Sequence, residues 1–256
     1  MVETAVEILD CNRDKLLDEF KKVHQTHHDS ELPFALLETE TVKKTFAGLN
    51  QSHILKQLDP AFYAFNSSKK KTLKLHEGVE ETLDLLVQNE IKLIAHTESR
   101  LQGALDRINR LGIAKYFSKI YCRERSITVH PDTEYTNRWL AKFSLENVYE
   151  LAHHQSKPNP EVLVEICSSE NIKIQEAAYV GDSIAKDIMM AKQAGVFSIW
   201  AAYGSKHNRE LYSSLVRISH WTPEDIIIEE QLRPDYIVKK SFRDVFEALQ
   251  FAESVQ

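Results

Sequence analysis

The sequence predicts an α/β fold, a parallel sheet with helices on both faces, joined to a smaller helical domain. Three observations lead there. From about residue 73 onward, short apolar strand-like runs alternate with helix-like ones, the order in which parallel strands and their crossover helices are built. Before that point apolar residues recur at helical spacing, and little resembles a buried strand. Seven Gly and seven Pro in 256 residues are too few for a turn-rich sandwich or barrel.

Taken in order, Asn12 is placed to cap a helix from Arg13 to about His24, in which Leu16, Leu17, Phe20 and Val23 share a face. Leu36, Leu37, Val42, Phe46 and Leu49 indicate at least one more helix, and Pro60 opens a short aromatic segment to Phe65. Ser67-Ser68-Lys69-Lys70-Lys71 reads as a polar break, dividing a helical domain over 1–72 from an α/β domain over 73–256. Within the second, Gly78–Asn89 is a helix, Ile91–Ala95 a strand, Leu101–Leu111 a helix and Lys119–Cys122 a strand. Glu161–Ser168 (helix), Ala177–Val180 (strand), Ile184–Ala194 (helix), Phe197–Ala201 (strand), Tyr236–Val238 (strand) and a helix from Phe242 complete the alternation. Ligands of such a sheet bind at the carboxyl ends of its strands.

Composition narrows the function. The net charge of −6 and the lack of a long basic block argue against general nucleic-acid binding. No window approaches the ~18 apolar residues of a membrane span, and the N-terminus lacks the pattern of a signal peptide, so a cytoplasmic protein is expected. Cys11, Cys122 and Cys167 lack metal-ligand spacing and read as reduced thiols, without zinc. The adjacent pairs His27-His28 and His153-His154 point to different sides of an element and read as surface residues.

Three polar groups fall at strand ends. Thr97 follows a strand, where it can bind an anion or cap a helix. Lys157, in Lys157-Pro158-Asn159-Pro160, precedes a helix; it is either aimed at the same anion as that helix N-terminus or an exposed loop lysine. Asp182 leaves a strand after Gly181, and Asp187 follows in the next turn. Two carboxylates so spaced suit one Mg²⁺, or else a cap and a surface residue.

Thr97, then Lys157-Pro158, then Gly181-Asp182-Ser183 with Asp187, resembles motifs two, three and four of the haloacid dehalogenase superfamily. The resemblance runs from about Gly78 to the C-terminus. It implies a Rossmann-like core and a Mg²⁺-dependent phosphatase acting on a small phosphorylated metabolite. Residues 1–72 resemble the helical cap that many members insert between motifs one and two. By the same resemblance Thr97 binds a phosphoryl oxygen, Lys157 offsets charge, and Asp182 and Asp187 hold Mg²⁺. A receiver-like phosphoacceptor domain uses similar groups, but in the reverse order.

Motif one, a strand ending in Asp-x-Asp-Gly-Thr that supplies nucleophile and general acid/base, is not found. Ala5–Asn12 offers only Asp10, in what reads as a helix end, and Ile127–Glu134 lies between motifs two and three. The expectation is that the chain starts inside the cap and that a preceding segment carries motif one; the alternative is a homologue without catalysis. In the family that strand lies between those bearing Thr97 and Asp182, so its absence should leave two edges unpaired. For specificity, Gln25, His27, His28 and Glu31 of the cap are candidates. The long 123–155 connection, with Tyr135, Arg138, Trp139, Lys142 and Phe143, reads either as a substrate cover or as a self-packed excursion.

Overall fold

Side chains that accept from free backbone amides start three of the helices near the N-terminus. In the computed structural model, which describes residues 1–27, 29, 32, 34–125, 133–204, 228 and 231–255, with backbone alone at 133–136, 251 and 253–255, these helices belong to one of two compact units. The first unit covers Met1–Leu73 and contains α1 (Val2–Leu9), α2 (Arg13–His27), α3 (Ala35–Glu38), α4 (Glu40–Thr45) and α5 (Gln51–Thr72). Asn12 accepts from Lys15 N at 3.0 Å to start α2, Thr39 caps α4, and Asn50 accepts from His53 N at 2.9 Å to start α5. Ala5, Leu16, Phe20, Leu36, Leu58 and Ala61 fill the core between these helices. Beside it the buried Glu19 accepts from Thr41 N at 2.8 Å and from Thr41 Oγ1 at 3.0 Å, which satisfies a carboxylate otherwise costly to bury.

Two local expectations fail in α5. The helix runs through Pro60 and continues through Ser67–Lys71, the stretch read as a polar break. Buried Leu58 and Ala61 hold it on either side of the proline, and three lysines in its last turn suit the negative end of the helix dipole.

The second unit, from Lys74 onward, contains α6 (Val79–Gln88), β1 (Ile94–Arg100), α7 (Leu101–Arg110), β2 (Lys119–Arg123), α8 (Thr133–Leu140) and β3 (Val148–Leu151). After these come α9 (Pro160–Ser169), β4 (Ala178–Gly181), α10 (Met189–Ala194), β5 (Phe197–Ala201), β6 (Tyr236–Val238) and α11 (Asp244–Val255). Every strand pair is parallel. Successive residues of β2 face opposite ways: Tyr121 packs with Val162 and Ile166 of α9, Cys122 with Leu101, Ala104 and Leu105 of α7. In the β4–β6 sheet, Ile199 and Val238 pack on Val245 and Ala248 of α11, while Tyr179 lies with Leu163, Met190 and Ala191. Helices therefore cover both faces, as α/β architecture requires.

The strands form two sheets of three, ordered β1-β2-β3 and β4-β5-β6. Among the described residues β1 pairs only with β2 and β4 only with β5, so each is an edge strand. Side chains bridge from one edge to the other: Tyr179 Oη lies 3.3 Å from His96 Nδ1, and Lys157 Nζ donates to the His96 carbonyl at 3.0 Å. Burial follows the same division. β1 is half-buried throughout and β4 is half-buried or exposed, whereas β2 is buried from Ile120 to Arg123.

Some boundaries shift. β1 starts at Ile94 and runs to Arg100, later than the Ile91–Ala95 strand expected, because its pairing with β2 begins at Ile94–Lys119. The 123–155 connection contains α8 and β3, neither of which was anticipated. The helix expected over Ile184–Ala194 opens as a single π turn, Ile184–Ile188, before α10.

Candidate active site

Thr97 lies within β1, opposite Cys122. Its Oγ1 accepts from Ser99 N at 3.1 Å, and α7 is entered from Arg100 with no side-chain cap, so Thr97 is not the cap of that helix. A hydroxyl that accepts one bond retains its proton to donate.

Lys157 is buried rather than an exposed loop lysine, its side chain 8% exposed. Its Nζ donates to Asp187 Oδ1 at 2.9 Å and to the His96 carbonyl at 3.0 Å, and it lies 5.3 Å from the Tyr179 ring centroid. Burial alone would lower its pKa, but Tyr179 and Asp187 outweigh burial and hold the ammonium above its usual range. The neighbouring His96 is pushed down to about 3, by burial first and by Lys157 second, so its imidazole is neutral. The helix following Lys157 does not present free amides as expected. Asn159 Oδ1 accepts from Glu161 N and Val162 N at the start of α9, closing two of them.

Asp182 directly follows β4 and is exposed, and its carbonyl accepts from Trp200 Nε1 at 3.0 Å. Asp187 is buried; besides Lys157, it accepts from Ser183 N through Oδ2 at 3.1 Å. Gly181 allows this approach, since a Cβ there would stand 2.3 Å from the Asp187 Cβ. Thr97, Lys157, Asp182 and Asp187 line one cavity of about 340 Å³, together with His96, Glu98, Tyr179, Ser183 and Lys186. The cavity occupies the carboxyl ends of β1 and β4, between the two sheet edges.

Mg²⁺ takes hard oxygen donors, often one or two carboxylates with several waters retained. Asp182 and Asp187 fit that requirement, Asp187 with oxygens already bonded to Lys157 and Ser183. No group of three or more His, Cys, Asp or Glu suited to a metal occurs among the described residues.

The sequence profile of haloacid dehalogenase-like hydrolases matches residues 12–195, and a second profile of HAD-like hydrolases matches 154–241. The chain belongs to the haloacid dehalogenase-like hydrolases. A glyceraldehyde 3-phosphate phosphatase of Methanopyrus kandleri is 27% identical over 150 residues, covering 59% of this chain and 53% of that enzyme. A haloacid dehalogenase-like hydrolase domain-containing protein of Arabidopsis thaliana is 48% identical over 42 residues, covering 16% of this chain and 17% of that protein. The chain thus spans about half the length of the first relative and less of the second. The fold resembles that of a 2-haloacid dehalogenase from Pseudomonas syringae (TM-score 0.51, 18% identity, 98% of this chain and 90% of that one). It also resembles a predicted phosphoglycolate phosphatase from Haemophilus somnus (TM-score 0.50, 16% identity, 96% and 88%).

Within this haloacid dehalogenase-like chain, the specificity candidates separate. His27 Nε2 lies 2.7 Å from Glu38 Oε2 and Gln25 is exposed, while His28 and Glu31 lie outside the described residues, as do Ile127–Asp132 and the Tyr135 side chain. Trp139 and Phe143, with ring centroids 4.5 Å apart, pack on the α7–β2 core instead of covering a substrate; Arg138 and Lys142 are exposed. Asp10 ends α1 in a left-handed conformation, φ 45°, within the first unit. Sequence reasoning missed His96, Glu98 and Tyr179 at the site. Two of them flank Thr97, and the third stands just ahead of Val180-Gly181, so proximity to the motifs was the available signal.

Proposed function

We propose that this site serves Mg²⁺-dependent hydrolysis of small phosphomonoesters through an aspartyl-phosphate intermediate. The observation that carries the reading is the convergence of Thr97, Lys157, Asp182 and Asp187 on one cavity, at the ends of two parallel edges with no strand paired between them among the described residues. Thr97 Oγ1 donates to a phosphoryl oxygen. The Lys157 ammonium, fixed by Asp187, balances charge on the phosphoryl group and on its attacker. Asp182 and Asp187 hold Mg²⁺, which supplies positive charge beside the transferring group when bound. None of the three acids at the cavity takes the attacking role in this reading: Asp187 is closed by Lys157 and Ser183, Glu98 accepts from Lys157 N, and Asp182 serves the cation.

The attacking carboxylate therefore belongs on a strand between β1 and β4, the place motif one occupies in the family. Its oxygen bonds to phosphorus as the ester oxygen leaves with a proton from a general acid, and water then cleaves the acyl phosphate. Residues 1–72 correspond in this reading to the family's helical cap. The free state of Cys11, Cys122 and Cys167 accords with a reducing, cytoplasmic setting, and none of the described helices is long and apolar enough to cross a membrane.

The test is titration calorimetry of this chain with Mg²⁺ and inorganic phosphate. Asp182→Asn should weaken Mg²⁺ binding and Thr97→Ala phosphate binding. An unchanged Mg²⁺ titration removes Asp182 from the metal site, and an unchanged phosphate titration removes Thr97 from the phosphoryl site.

A further inference from the structure

Lys157 is held at both ends. At its backbone, the amide N–H donates to Glu98 Oε1 at 3.0 Å, a bond from the residue after Thr97 to the loop that carries the lysine. At its tip, Nζ is bonded to Asp187 and to the His96 carbonyl, with the Tyr179 ring beside it. Tyr179 is fixed in turn, its Oη 3.3 Å from His96 Nδ1 and 3.5 Å from Asp187 Oδ1. A lysine has a long flexible stem and loses much rotamer freedom when it is fixed. Groups that hold it before a ligand arrives remove that cost from the binding step.

We infer that Glu98 and Tyr179 are positioning residues that fix Lys157 from its backbone and from its ammonium end. Glu98 also ties the lysine loop to the end of β1, so Thr97 and Lys157 keep one spacing. Its role requires an acceptor oxygen, not a negative charge. Tyr179 acts through its ring, which favours a cation beside its face. The inference rests on the reading that Thr97 and Lys157 meet a phosphoryl group, and it adds two residues outside the four motifs.

Two measurements on the whole chain test it. In calorimetric titration with inorganic phosphate and Mg²⁺, Glu98→Gln keeps the acceptor and should stay within about twofold of wild type, whereas Glu98→Ala should weaken phosphate about fivefold, the worth of one hydrogen bond. Equal weakening in both variants, or none in Glu98→Ala, overturns the assignment of Glu98. In spectra of ¹³C-lysine-labelled protein, the Lys157 ε-methylene should be shifted upfield by the Tyr179 ring. That shift should survive Tyr179→Phe and vanish in Tyr179→Leu. A shift missing from wild type, or unchanged in Tyr179→Leu, overturns the assignment of Tyr179. Failure of the functional reading looks different: Thr97→Ala then leaves phosphate binding unchanged, while the ε-methylene shift still reports on the clamp.

Discussion

Buried charge sets the behaviour of the site at the scale of single residues. Lys157 and Asp187 are each 8% exposed at the side chain, so each depends on the other to offset its desolvation. Gly181 permits that pairing by lacking a Cβ. Gly181→Ala would drive a methyl group into Asp187, and a loss of about 1–3 kcal/mol is expected from overpacking, read as a lower urea midpoint with weaker Mg²⁺ binding. An unchanged midpoint would mean that the turn yields without disturbing Asp187. His96 gives a pH signature. Its folded pKa of about 3 lies below its ordinary 6.5, so below pH 6.5 the unfolded chain takes up the proton more readily than the folded one. Its contribution to stability is whole above 6.5 and is lost as pH falls toward 3. The urea midpoint of wild type should therefore fall between pH 6.5 and pH 5 more steeply than that of His96→Leu; parallel profiles would assign the acid sensitivity elsewhere.

At the scale of elements, the two edges left unpaired among the described residues dominate. An edge strand presents amides without ladder partners, and those amides exchange faster than paired ones. Hydrogen exchange in β1 and β4 is expected to outpace that in β2 and β5, and uniform protection across these strands would mean that the edges are closed to solvent. At the start of α9, Asn159→Ala should cost about 0.5–2 kcal/mol by removing the cap, measurable as a lower thermal midpoint.

The same scale explains what the sequence allowed to be read. Thr97 and Asp182 could be picked out as polar residues beside apolar strand-like runs and Lys157 as a cation just ahead of a helix, and Gly195 marked the left-handed end of α10. The limits of β1 were not legible, because Ile91–Leu93 is as apolar as a strand and only pairing with β2 decides where the strand begins. β3 was missed since four residues, Val148–Leu151, carry too short an alternation within a polar stretch. The course of α5 through Pro60 and the lysine run depends on burial of Leu58 and Ala61, a tertiary effect no local propensity records. Glu98 and Tyr179 acquire their roles only where the β1 and β4 edges approach, so composition could not single them out.

At the largest scale, the described strands form two halves of three, with the candidate site at the seam. Each half is covered on both faces and, among the described residues, ends at the seam in an edge strand, while the groups proposed to bind phosphate and metal are divided between them: Thr97 comes from β1, Asp182 and Asp187 from the turn after β4. Lys157, from the loop before α9, joins the halves through His96 and Asp187. In the proposed reading each carboxylate at the cavity is already engaged, and the seam is where a strand bearing the attacking one would pair on both sides. The most direct measurement is hydrolysis of p-nitrophenyl phosphate in Mg²⁺ by this chain, alone and with an added apolar strand peptide ending in Asp-x-Asp-Gly-Thr. The expected result is no turnover above blank for the chain alone, and turnover with the peptide that disappears when its first Asp is replaced by Asn. Turnover by the chain alone, abolished by Asp10→Asn, would contradict it, since the nucleophile would then lie at the end of α1.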